Sequence, residues 1–119
     1  MINSFDFDGV IYMGKGRSGV SPGPDDLIIT GRSFEESPFV LSWLNDHGIK
    51  NQVFFNPLHE KDKTRLSSGE HKARVLNGLH NNGVDFHLHF EDDPIQKEVI
   101  ERECPWITVV HLVHEETEK

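Results

Sequence analysis

Asp6 and Asp8 stand two residues apart where the first apolar run, Ile2 to Phe7, comes to an end, and Gly9 directly behind them lets the chain turn sharply. Carboxylates in such a place can work as acid, as base or as oxygen ligands to a hard cation, and they can equally be solvated or cap a turn. Three more polar groups follow apolar runs or open a helix. Thr30-Gly31-Arg32 closes the run Leu27 to Ile29, Lys72 sits where a helical stretch opens, and Asp92-Asp93 follows Phe86 to Phe90. Each has a plain structural account: Thr30 satisfies backbone at a strand end, Lys72 is surface charge, Arg32 pairs with a nearby acid, and Asp92-Asp93 favours the next helix through its dipole. Their order along the chain, however, would ring one edge of a sheet.

The elements that must place them follow from apolar spacing. Short apolar runs at Ile2 to Phe7, Leu27 to Thr30, Val53 to Phe55, Phe86 to Phe90 and Trp106 to Val113 predict five strands. Ser33 with Glu36 makes a capping-box start for a helix that carries Phe39, Val40, Trp43 and Leu44 and stops near His47-Gly48. Ser67 or Ser68 begins a second helix with Val75, Leu76 and Leu79 inward, and Lys72 in its first turn. Pro94 opens a third, which runs to about Glu103. The segment Tyr12 to Asp26, rich in Gly, Ser and Pro, predicts a loop and no helix; Glu115 to Lys119 predicts a frayed end. Strands alternating with single helices predict an α/β fold with a parallel sheet, whose ligands bind beyond the carboxyl ends of the strands.

Length and composition set outer bounds. The 119 residues suit one domain, 1–119, with a real core. Twenty acidic against twelve basic side chains, a formal charge of −8, argue against broad binding of nucleic acid. No apolar stretch approaches the roughly 20 residues needed to span a bilayer, and the first residues read neither as a basic leader nor as a cleavable segment, which predicts no membrane partner and a cytoplasmic location. Cys104, the one cysteine, cannot form an internal disulfide and suits a packed position near a helix end.

Taken together, these motifs resemble the haloacid dehalogenase superfamily of phosphatases, across nearly the whole chain. The family's first motif, an apolar strand followed by Asp-x-Asp-Gly-Thr/Val, is matched by Phe5-Asp6-Phe7-Asp8-Gly9-Val10, and its second, a strand ending in Thr or Ser, by Ile28-Ile29-Thr30. Its third, a lysine at a helix start, is matched by Lys72, and its fourth, a strand ending in paired acids, by Phe90-Glu91-Asp92-Asp93. The resemblance implies a Rossmann-like three-layer core with a five-stranded parallel sheet, a reduced helix set and no cap domain, most like the phosphatase half of polynucleotide kinase-phosphatases and related nucleotidases. It implies a magnesium-dependent hydrolase in which Asp6 is the nucleophile and forms an aspartyl-phosphate, while Asp8 protonates the leaving oxygen and then activates water. It also implies that Asp6, the backbone carbonyl of Asp8, and Asp92 hold Mg²⁺, with Asp93 completing or orienting that shell. Thr30, Gly31, Arg32 and Lys72 would bind the phosphate. The substrate class implied is a phosphoester: a nucleotide, a nucleic acid end or another.

Several alternatives stay open at this point. Lys61 or Lys63 could take the role given to Lys72, and Lys15 and Arg17 could reach substrate if their loop folds over the site. His87 and His89 alternate on the fourth strand, so they share one face while Phe86, Leu88 and Phe90 share the other. A metal-binding histidine pair is the lesser reading. With no crossover helix between the first two strands, that face is expected to be poorly covered, hence solvated or a homodimer contact. A non-catalytic binding module of the same fold is the competing function. A response-regulator-like receiver fits less well, because the third strand ends in Phe55-Asn56-Pro57 with no phosphoacceptor.

Overall fold

The computed structural model describes residues 1–14 and 17–114. Its strands are β1 (Ile2–Phe5), β2 (Leu27–Ser33), β3 (Val53–Asn56), β4 (Phe86–Glu91) and β5 (Thr108–His111), and its α-helices are α1 (Ser37–Asp46), α2 (Arg65–Asn81) and α3 (Pro94–Glu103). The strands form one five-stranded sheet in the order β3-β2-β1-β4-β5, and every pairing is parallel. The α/β fold with a five-stranded parallel sheet is therefore as expected from the alternating pattern. The chain moves outward from β1 to β2 and β3, then returns to the other side of β1 for β4. That reversal makes the β1/β4 boundary the topological switch point, where the carboxyl ends of strands open a crevice.

Both faces of the sheet are covered, which is why its strands read as apolar runs. Ile28 packs with Phe5, Val40, Trp43 and Leu44 on the α1 side, whereas Ile29 packs with Ala73 and Leu76 of α2 and Val99 and Ile100 of α3 on the other. Ile28 and Ile29 are both fully buried, and each contributes about 1.5–3 kcal/mol by leaving water. Among the described residues, no helix stands between β1 and β2. The chain instead turns tightly, with the Phe7 carbonyl accepting from the amides of Val10, Ile11 and Tyr12. This turn buries Phe7, Val10 and Ile11 in the α1-side core, and Phe5 stacks on Phe90 with ring centroids 4.6 Å apart. The expectation of a poorly covered face over β1 and β4 is thus overturned: apolar side chains of the turn fill the space a crossover helix would occupy.

The helix starts differ from the reading at two places. Thr64, not Ser67 or Ser68, caps α2: its Oγ1 accepts from the Ser67 amide at 2.9 Å, while the Ser67 hydroxyl accepts from the Thr64 amide. Lys72 consequently lies about two turns inside the helix and not in its first turn. At Ser33, only half of the capping box forms. Glu36 Oε1 accepts from the Ser33 amide at 2.8 Å, a 3₁₀ turn (Phe34–Glu36) comes first, and α1 then begins at Ser37 with Pro38 in its first turn. Gly48, at φ 72°, ends α1 as expected. Among the described residues, no helix is long and apolar enough to cross a membrane. The expectation for residues 115–119 falls outside the described residues, as does that for Lys15.

Register shifts decide which side chains face the cleft. On β4, Ile2 of β1 pairs with Phe86 but Ser4 pairs with His89, so one extra residue is inserted and the alternation is reset. Phe86 and Phe90 therefore pack in opposite layers, and His87 is exposed while His89 is fully buried. The shared histidine face predicted by strict alternation does not exist. On β2, Ile29 pairs with Phe54 and Ser33 with Asn56, leaving Thr30-Gly31-Arg32 bulged at the carboxyl edge.

Candidate functional site

At the β1/β4 switch point the structure brings Asp6, Glu91 and Asp92 together, with one carboxylate oxygen from each lying within 4.8 Å of the others. Lys72 reaches this cluster from α2. Its Nζ donates to Glu91 Oε1 at 2.9 Å and stands 3.0 Å from Asp6 Oδ1, and the side chain is only 1% exposed. Burying an ammonium costs several kcal/mol unless acids surround it, which these two do. Burial works against the charge on Lys72, but Asp6 and Glu91 outweigh it and raise its pKa above the ordinary value. Asp6 Oδ1 also accepts from the Phe7 amide at 2.8 Å, which fixes the carboxylate where β1 ends.

Three carboxylates thus face one ammonium, and the excess negative charge shows in the titration of the acids. Burial first and then Glu91 push Asp6 well above the usual carboxylate range, despite Lys72. Burial and the neighbouring Asp6 raise Asp92 to about 6. An all-oxygen donor set with surplus negative charge is what a hard divalent cation requires. The local backbone makes room for the Asp92 carboxylate: Gly9 adopts φ 79°, and a Cβ there would fall 1.9 Å from Asp92 Oδ2. No side chain can stand between the first turn and Asp92, and the clustered carboxylate oxygens fit Mg²⁺ in donor chemistry.

Above this floor lies an open cleft of about 430 Å³. Asp8, Arg32, Glu36, Lys63, Arg65 and Asp93 form its rim. Arg32 grips Asp8 with both donors, Nε to Oδ2 at 2.9 Å and Nη2 to Oδ1 at 2.8 Å, and Nη1 reaches Glu36 at 3.4 Å. Lys63 donates to the same Glu36 at 2.6 Å. Of the alternatives read for Arg32, the structure shows the pair with an acid. Burial opposes the charge on Glu36, but the Lys63 and Ser33 donors prevail and its pKa is lowered.

Four predicted site residues are engaged by partners within the protein. Asp93 is not with the acidic cluster: Oδ1 accepts the Ile95 amide at 2.8 Å and so caps α3, and Arg65 takes both oxygens at 2.8 and 3.0 Å. The Asp8 carboxylate is held by Arg32, away from the cluster. Thr30 is fully buried and does not line the cleft; its Oγ1 accepts from the Arg32 amide at 3.1 Å and shapes the bulge. Arg32 is committed to Asp8 and Glu36. Gly31 does line the cleft, because the start of α2 approaches it so closely that a Cβ would lie 2.9 Å from Ser68 Oγ.

Other residues near the site escaped the reading. Glu91 carries the ion pair with Lys72, where the acid pair was assigned to Asp92 and Asp93. Ser68 supplies the hydroxyl that Thr30 does not, and Arg65 supplies a rim cation. His114 donates from Nε2 to the Gly9 carbonyl at 2.8 Å and lies 3.4 Å from Asp92 Oδ2, while His111 donates to the Asp92 carbonyl at 3.1 Å. Only Glu91 had a signal, its place beside Asp92 at a strand end. Lys61 lies with Glu35, His59 and Glu60 outside the cleft, and Arg17 donates to the Met13 carbonyl. Comparison of the chain with protein-family models, with curated proteins and with solved structures gave no match.

Proposed function

We propose that this chain is a magnesium-dependent phosphomonoester hydrolase of the haloacid dehalogenase type, with that family's Rossmann-like core and no cap domain. The observation that carries this reading is the meeting of Asp6, Glu91 and Asp92 around the buried Lys72 at the switch point, with Asp8 on the same cleft. A buried lysine between two acids would be a costly way merely to hold a fold together. At a sheet edge that opens to solvent, its charge opposes the rise in the Asp6 pKa and aims the nucleophilic carboxylate.

In this reaction a carboxylate oxygen of Asp6 attacks phosphorus, and the bond from phosphorus to the ester oxygen breaks as the bond to Asp6 forms. Asp8 gives its proton to the departing oxygen. Water then attacks phosphorus, Asp8 takes the proton, and the bond to Asp6 breaks to release phosphate. For Asp8 to take part, Arg32 must exchange it for the phosphate, and at 25% and 47% side-chain exposure the two groups are free to part. The Gly31 amide, Ser68 and Arg32, which line the cleft, would hold phosphate oxygens. Asp6, Asp92 and the Asp8 carbonyl would hold Mg²⁺, which when bound offsets the surplus negative charge and polarises the phosphoryl group. An open cleft admits extended substrates, so nucleotides and nucleic acid terminal phosphates lead the panel to be tried.

The Arg32–Asp8 pair favours a second reading, a binding module of the same fold, because it occupies the carboxylate that the reaction needs. Hydrolysis of a generic aryl phosphate with and without Mg²⁺ separates the two. The expected result is metal-dependent turnover that Asp6→Asn reduces by more than about 10³-fold. Turnover without metal, or undiminished turnover in the variant, would refute the mechanism. A panel of 3′- and 5′-phosphorylated nucleotides and oligonucleotides then narrows the substrate.

A further inference from the structure

The buried groups under the cleft form one continuous chain of hydrogen bonds. Ser4 Oγ lies 2.6 Å from His89 Nδ1, His89 Nε2 lies 3.1 Å from Glu91 Oε1, and that same oxygen accepts from Lys72, which faces Asp6. Ser4, His89 and Glu91 are wholly shielded from solvent. The direction of each bond follows from what the atoms can do. A carboxylate only accepts, so His89 Nε2 must carry a hydrogen; a neutral imidazole has one, so Nδ1 accepts from the Ser4 hydroxyl. Burial, reinforced by the Lys72 charge, lowers the His89 pKa to about 3 and keeps the ring neutral.

We propose that His89 is a positioning residue: by donating from Nε2 to Glu91 Oε1, it fixes the carboxylate that aims the Lys72 ammonium at Asp6. The catalytic part of this inference rests on the phosphatase reading. Glu91 has several rotatable bonds, and among the described residues its Oε1 is shared by two side-chain donors, Lys72 and His89. Take His89 away and Oε1 keeps only Lys72, with the long 3.4 Å contact from the Asp93 amide left on Oε2, so lysine and glutamate can drift together away from Asp6. His89 itself does not line the cleft, and its influence must therefore pass through Glu91. Ser4 stands one step further back and selects the tautomer that can donate.

Ring ¹⁵N NMR of the wild-type protein tests the geometry without any substitution: the Nε2–H tautomer is expected for His89, and an Nδ1–H tautomer would overturn the proposal. Two variants test the consequence. Glutamine at this position carries an amide N–H out to where Nε2 stands, whereas the shorter asparagine reaches only the Nδ1 position. His89→Asn is expected to lower kcat by about 10- to 100-fold with KM nearly unchanged, and His89→Gln to recover most of it. Acetylation of Lys72, followed by mass spectrometry, is expected to be faster in the Asn variant and to return toward the wild-type rate in the Gln variant. Equal kcat and equal Lys72 reactivity in the two folded variants would overturn the proposal. If neither variant folds, the wild-type tautomer decides. An inert wild-type protein would refute the phosphatase reading alone, and the tautomer and the Lys72 reactivity would still decide whether His89 positions Lys72.

Discussion

Asp92 and Asp93 are neighbours in the chain, yet they belong to two regions with opposite electrostatics. Asp92 joins the floor, where burial and Asp6 raise its pKa to about 6; Asp93 belongs to the rim, where burial is outweighed by Arg65 and the α3 amides and the pKa is lowered. The floor is desolvated and charge-rich, so its pairs are strong and cannot exchange with water. On the rim, Arg32, Lys63 and Arg65 hold acids through pairs in partial contact with solvent, which salt screens and a ligand can replace. The same residue types thus supply fixed structure below and exchangeable binding groups above.

Breaking the floor should have the largest effect. Lys72→Met leaves Asp6 and Glu91 buried without a counter-charge and is expected to cost about 3–5 kcal/mol, read as a shifted urea midpoint, and to abolish turnover. Magnesium tests the floor next. Asp92, with its pKa raised, stabilises the metal-free protein fully below about 3.8 and progressively less as pH rises through about 6. The cation needs the ionised form, so its stabilising effect should grow between pH 5 and pH 7, reaching about 2.7 kcal/mol at a hundredfold excess over Kd. Chelator and magnesium melts at both pH values would measure this, and a gain that shrank with pH would place the cation away from Asp92. The smallest effect belongs to the rim. Arg65→Ala should leave the urea midpoint unmoved and alter KM more than kcat, and the KM change should fade in high salt.

How far the sequence could be read follows the same division. The strand and helix runs were visible because parallel strands covered on both faces are short and apolar, and Asp6-Phe7-Asp8-Gly9 marks its own strand end. The β4 side of the site was hidden by an inserted residue. Strict alternation put His87 and His89 on one face, but the shift between Ile2 and Ser4 buries His89 and brings Glu91 to Lys72. Lys72 was placed at a helix start because Ser67 and Ser68 resemble caps, whereas the Thr64–Ser67 exchange starts α2 earlier. Nothing local announces that Arg65 will meet Asp93, since that contact exists only once α2 and α3 pack.

The bulge in β2 has a consequence for how such a molecule can change. By setting Thr30-Gly31-Arg32 outside the regular ladder, it lets the neighbouring β1 and β4 keep their alignment whatever side chains the bulge presents. Libraries randomised at positions 32, 36, 63 and 65 should therefore yield many folded clones with altered preferences, while the same diversity at positions 4, 72, 89 and 91 should yield few that fold at all.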